Sequence, residues 1–138
     1  MPKPSEKVET AIRIAVLGNM DVGKTSLTQR YAYPDRSFKI EKIKTRGTDT
    51  VSAYISILGE TISKVSIWDT AGQEKHADIV GAYVKKLDAC LMVFDLTNSE
   101  SLESIHRWKK ALSQQSEMPV IIVGNKNDLV ESRQVSSQ

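Results

Sequence analysis

Gly18-Asn19-Met20-Asp21-Val22-Gly23-Lys24-Thr25 fits the pattern G-x-x-x-x-G-K-[ST], a phosphate-cradling loop. It stands where such a loop has to stand. The apolar run Ala11-Ile12-Arg13-Ile14-Ala15-Val16-Leu17 precedes it and reads as a strand, and residues 24–32 follow it and read as a helix. A glycine-rich turn at that junction lets backbone N–H groups of Gly18, Asp21, Val22 and Gly23 converge on phosphate oxygens, with the positive end of the helix dipole behind them. Lys24 adds a mobile cation for the outer phosphates, the Thr25 hydroxyl can ligate Mg²⁺, and Ser26 completes the phosphate-facing set.

A second motif selects the base. Pro119-Val120-Ile121-Ile122-Val123-Gly124 reads as a short, fully buried strand, and it runs into Asn125-Lys126-Asn127-Asp128, which is N-K-x-D. The Asp128 carboxylate can accept from both the N1–H and the exocyclic amine of guanine. Adenine presents an acceptor at N1, so it would leave the carboxylate repelled and unpaired, worth roughly 10⁴–10⁵ in discrimination. Asn125 braces the loop and the base edge, and the Lys126 stem covers one face of the ring.

Between these two motifs lies Trp68-Asp69-Thr70-Ala71-Gly72-Gln73-Glu74, at the end of the β-like run 62–68. An aspartate at a strand end is placed to hold Mg²⁺ through a water. The Gly72 N–H can bind a γ-phosphate that comes and goes, and Gln73 can orient an attacking water.

The coarse layout is α/β. Strands read at about residues 11–17, 50–58, 61–68, 89–95 and 119–124, and helices at about 24–32, 74–86 and 99–115, the last capped by Asn98 or Ser99. Leu58-Gly59-Glu60 joins the second and third strands as a hairpin, which makes one strand antiparallel to the rest. Leu102, Ile105, Trp108, Lys109 and Leu112 fall at helical spacing and read as core packing. The three motifs then fall at carboxyl ends of strands, where open α/β sheets bind ligands.

Residues 1–9 read as a polar tail and 10–138 as one domain. With 40% hydrophobic and 26% charged residues, the chain holds enough apolar content for a core. A net charge of +2 gives no reason to expect nucleic acid. The lone Cys90 reads as a small buried side chain and suits a reducing compartment. No run of apolar residues is long enough to span a bilayer, and no signal-peptide h-region opens the chain, so the expected location is cytoplasmic, with endomembranes as a surface to visit.

Trp68–Glu74, Val93-Phe94-Asp95-Leu96-Thr97 followed by Ser99-Glu100-Ser101-Leu102, and Gly124-Asn125-Lys126-Asn127-Asp128-Leu129 together resemble the Ras superfamily of small GTPases, and most closely its Rab branch. The resemblance covers residues 10–138. It implies a doubly wound, mostly parallel sheet and a GDP/GTP switch with slow hydrolysis that depends on Mg²⁺. It also implies an exchange factor, an activating protein and effectors, meeting residues 38–50 and 70–84. Rab proteins carry T-I-G-x-D before their second strand. Thr45-Arg46-Gly47-Thr48-Asp49 fits that frame, which selects Thr45 over Thr48 as the switch threonine that ligates Mg²⁺ and touches the γ-phosphate.

Several departures qualify the likeness. Rab proteins favour small residues where this chain has Met20 and Asp21. A side chain at Met20 crowds the space of the water-positioning glutamine and of an incoming arginine. Asp21 sets a negative charge near the phosphates, worth roughly 0.5–2 kcal/mol of repulsion over about 8 Å. Two of the three aromatic positions that Rab effectors read are Thr50 and His76 here, with only Trp68 kept. After Asp128 the family continues through a helix, a strand and a final helix, so the fold expected for residues up to Gln138 lacks the last strand and helix, and it carries no prenyl anchor. Gln73, Thr45 and Thr25 favour a cycling GTPase. Met20, Asp21 and the chain's end favour the alternative, a scaffold that binds nucleotide without turning it over.

Overall fold

The computed structural model describes residues 8–34, 48–57, 61–70, 84–113 and 117–137. Five strands form one sheet in the order β2-β3-β1-β4-β5. They are β1 (Val8–Leu17), β2 (Thr48–Ile57), β3 (Thr61–Thr70), β4 (Ala89–Asp95) and β5 (Val120–Asn125). β1 runs parallel to β3 and β4, and β4 runs parallel to β5. β2 alone is antiparallel, pairing with β3 from Thr48 opposite Thr70 to Ile57 opposite Thr61. That pairing is what a hairpin requires, although its turn at 58–60 lies outside the described residues. Successive strands are not neighbours at two points, since β1 to β2 skips β3 and β3 to β4 skips β1.

Side chains alternate along β1 and so feed two cores. Ala15 and Leu17 point to one side, with Leu87, Cys90, Met92, Ile105, Trp108 and Leu112. Val16 points to the other, with Val22, Val65, Ile67 and Val93. Burial in the first core pushes the Cys90 thiol up to about 12, so the small-hydrophobe reading of that residue holds.

Helix α1 (Lys24–Ala32) lies where the sequence places it. Three other expectations need correcting. The helix expected over 99–115 is two pieces, α2 (Ser99–Glu103) and α3 (Ile105–Ala111), with Asn98 capping the first by accepting from the Glu100 amide at 3.1 Å. Ser104 marks the break. Its hydroxyl and its amide both donate to the Glu100 carbonyl at 3.0 Å, and such back-bonding bends a helix. The apolar stripe is correspondingly narrower: Ile105, Trp108 and Leu112 are buried, whereas Leu102 and Lys109 face outward. Finally, β5 is the edge strand that a sheet lacking its last strand should have, but its apolar run is not fully buried, with Ile121 and Ile122 exposed by 61% and 54%. Its apolar run reflected strand propensity, which does not say how many neighbours a strand will have.

β1 also begins earlier than expected, taking in Val8 and Glu9. The helix expected over 74–86 falls mostly outside the described residues, which resume with a short 3₁₀ turn at Val84–Lys86. A second 3₁₀ turn, Val130–Ser132, follows β5. Beyond it Gln134 and Val135 both donate to the Leu96 carbonyl, fastening the end of the described chain to the β4–α2 turn. No described helix is long and apolar enough to cross a membrane.

Candidate nucleotide site

The loop between β1 and α1 is shaped by residues with unusual backbones. Gly18 takes φ 146° and packs so closely on β4 that a Cβ there would lie 2.2 Å from the Val93 carbonyl oxygen. Gly23 takes φ 102°, and its Cβ would lie 2.2 Å from Asn125 Nδ2. Asp21 is left-handed as well, at φ 66°, a conformation aspartate accepts more readily than most residues. Its side chain is exposed, so the repulsion of phosphate expected from it is softened by solvent. The first turn of α1 directs its N–H groups into the same loop.

Lys24 is buried at the helix start, and its Nζ donates to the Asn19 carbonyl at 2.7 Å. Burial pushes its ammonium down to about 8, against the opposing pull of the Asp69 and Asp21 carboxylates. A cation held at that desolvation cost is matched to an anionic ligand. Thr25 Oγ1 donates to Asp69 Oδ2, which joins the loop to the carboxyl end of β3. A hydroxyl and a buried carboxylate make an oxygen pair suited to Mg²⁺, which takes few protein ligands and completes its shell with water and phosphate. Among the described residues no group of three or more His, Cys, Asp or Glu gathers.

The Asn125-Lys126-Asn127-Asp128 motif is fastened directly onto this loop. Asn125 Nδ2 donates to the Val22 carbonyl at 2.9 Å, and Lys126 Nζ donates to the Asp21 carbonyl at 2.7 Å. Lys126 bends back at φ 64° to do so. Its ammonium also meets Asp95 Oδ2 at 2.7 Å. Asp95 is the residue that sequence reasoning left without a role. Its other carboxylate oxygen accepts from the Thr97 amide and hydroxyl at 2.8 and 2.6 Å. Burial alone would raise its pKa, but the Lys126 and Thr97 hydrogen bonds outweigh that and hold it below 3.8. The strand-ending position in Val93–Thr97 was the available signal. Asp128 stands exposed on the same loop, open to a ligand.

The fold therefore brings together Gly18, Asp21, Val22, Gly23, Lys24, Thr25, Ser26, Asp69, Asn125, Lys126 and Asp128. Thr45, Gly72, Gln73 and His76 lie outside the described residues. Thr50 is exposed opposite Trp68 in the β2–β3 ladder.

A profile of the Ras family matches residues 13–138. Ras-related protein Rab-7b of Bos taurus is 36% identical over 140 residues, covering 98% of this chain and 67% of that protein. Ras-related protein YPTC6 of Chlamydomonas reinhardtii is 34% identical, covering 99% of this chain and 62% of that protein. Ypt/Rab-type GTPase YPT7 of Saccharomyces cerevisiae is 31% identical, covering 97% and 66%. The chain thus spans roughly two thirds of the length of these relatives. With the family match running over residues 13–138 and a five-stranded, mostly parallel sheet, this chain belongs to the Ras family, among proteins similar to Rab and Ypt.

Proposed function

We propose that the chain is a guanine-nucleotide-binding switch that binds GTP and GDP with Mg²⁺, hydrolyses GTP slowly, and serves intracellular vesicle trafficking or signalling. The observation that carries this reading is the fastening of Asn125 onto the Val22 carbonyl and of Lys126 onto the Asp21 carbonyl. It makes the phosphate loop and the guanine loop one rigid unit, so a nucleotide is gripped at both ends by preorganised groups. The relatives' names add weight, since one is called a Ypt/Rab-type GTPase and others Ras-related proteins.

Within the site Lys24 would neutralise the outer phosphates, while Thr25, Asp69 and Thr45 would hold Mg²⁺. That ion, when bound, offsets charge building on the transferred phosphoryl group. The Gly72 amide would sense the γ-phosphate and Gln73 would align the attacking water. Asp128 would read the guanine edge, with Asn125 and Lys126 bracing it. Exchange, activating and effector proteins would meet residues 38–50 and 70–84. Nucleotide released on denaturing the purified protein, identified by chromatography, tests the reading. GDP is the expected result; a folded protein carrying neither GDP nor GTP would contradict it.

One observation favours the non-cycling scaffold as a second reading. Met20 stands 47% exposed at the third position of the phosphate loop, free to intrude where hydrolysis is assisted. Single-turnover hydrolysis separates the two. Met20→Gly should accelerate it if the switch reading holds, and retention of intact GTP by both forms would favour the scaffold.

A further inference from the structure

Asn19 occupies a position for which the G-x-x-x-x-G-K-[ST] pattern makes no demand. Its side chain nevertheless reaches across the fold. Nδ2 donates to Ser104 Oγ at 2.9 Å, and Oδ1 accepts from the Trp108 indole N–H at 3.1 Å. The partners are distant in sequence and sit at the start and in the middle of the α3 segment. The orientation of the amide follows from chemistry, because an indole N–H only donates and must face oxygen. Ser104 commits its own hydroxyl proton to the Glu100 carbonyl, so it meets Nδ2 as an acceptor. All these groups are therefore used in one mutually consistent arrangement. Trp108 is 1% exposed and is the largest fully buried side chain, so its N–H loses its protein partner if Asn19 is cut back. The main chain of Asn19 faces the other way, its carbonyl accepting from Lys24 Nζ.

We propose that Asn19 is a positioning residue that ties the phosphate loop to helix α3 through Trp108 and Ser104, holding Lys24 in place and slowing release of bound nucleotide. The inference rests on the guanine-nucleotide reading. The asparagine peptide that carries the lysine's acceptor is anchored by its own side chain to the helix. Loss of the anchor lets that peptide, and the cation on it, drift from the phosphates. Conversely, a change at the phosphates is felt at the buried indole, which makes Trp108 a reporter of the loop.

The test measures release of N-methylanthraniloyl-GDP, chased with excess GDP, from wild type, Asn19→Ala, Trp108→Phe and the double variant. Each single change should speed release about tenfold, and the double should be no faster than the quicker single, because both remove the same tie. In a Trp68→Phe background, Trp108 emission should shift on nucleotide release, and Asn19→Ala should abolish the shift. A folded Trp108→Phe protein releasing at the wild-type rate would overturn the proposal, as would effects that multiply in the double. Should Trp108→Phe not fold, Ser104→Ala takes its place, with faster release expected and an unchanged rate contradicting. Wild type that retains no guanine nucleotide would sink the underlying reading along with the inference. Retention by wild type with indifferent variants would sink the inference alone.

Discussion

Gly23 and Asn125 show how one residue constrains another across the site. The backbone at Gly23 takes φ 102°, and the space a Cβ would need is filled by the Asn125 amide that donates to Val22. Gly23→Ala should therefore both strain the backbone, by about 1–3 kcal/mol, and push Asn125 off its carbonyl. Titration with fluorescent GDP should show at least a tenfold loss of affinity, and urea unfolding a lower midpoint; an alanine variant with wild-type affinity would remove the steric account. The need for glycine was legible in the motif. The reason was not, because the group that fills the space arrives from the far end of the chain. Cys90 is the opposite case, since its apolar neighbours in sequence already announced a buried, inert thiol.

Elements were legible where local pattern decides them and obscure where tertiary partners do. All five strands and α1 follow from apolar runs and turn residues. The break at Ser104 depends on a hydroxyl that bonds back to Glu100 and receives Asn19, and no periodicity records that. The end of β4 is similar. Asp95 there accepts from Thr97 and Lys126, so it fixes the turn into α2 and the base-reading loop together. Its pKa is held below the ordinary 3.8, so the stability it supplies is fully present above pH 3.8 and drains away as pH falls through the lowered value. Asp95→Asn should weaken guanine-nucleotide binding several-fold near neutral pH by loosening Lys126. Urea unfolding across the acid range should show the wild-type advantage over Asp95→Asn shrinking below pH 3.8. An advantage that grows with acidity would contradict the ion pair.

For the whole molecule, the sheet order β2-β3-β1-β4-β5 brings the Gly18–Thr25 loop, Asp69 and the Asn125–Asp128 loop, far apart in sequence, to the carboxyl ends of neighbouring parallel strands. That convergence could be anticipated, because alternating strands and helices leave few topologies and all place strand carboxyl ends together. The open edge of β5 follows from the expected lack of a last strand, whereas the run Val120–Val123 by itself looks the same in a central strand as in an edge strand. With Ile121 and Ile122 open to solvent, this 138-residue chain should self-associate at high concentration. Ile121→Lys should lower its light scattering without changing GDP affinity; equal scattering would place the association elsewhere. The central claim is that one rigid site reads guanine at one end and phosphate at the other. Its most direct test is displacement of fluorescent GDP by unlabelled GDP or ADP, in wild type and in Asp128→Ala. GDP should compete in wild type on the order of 10⁴-fold better than ADP, and Asp128→Ala should erase most of that preference. Equal competition by ADP in wild type would contradict the account.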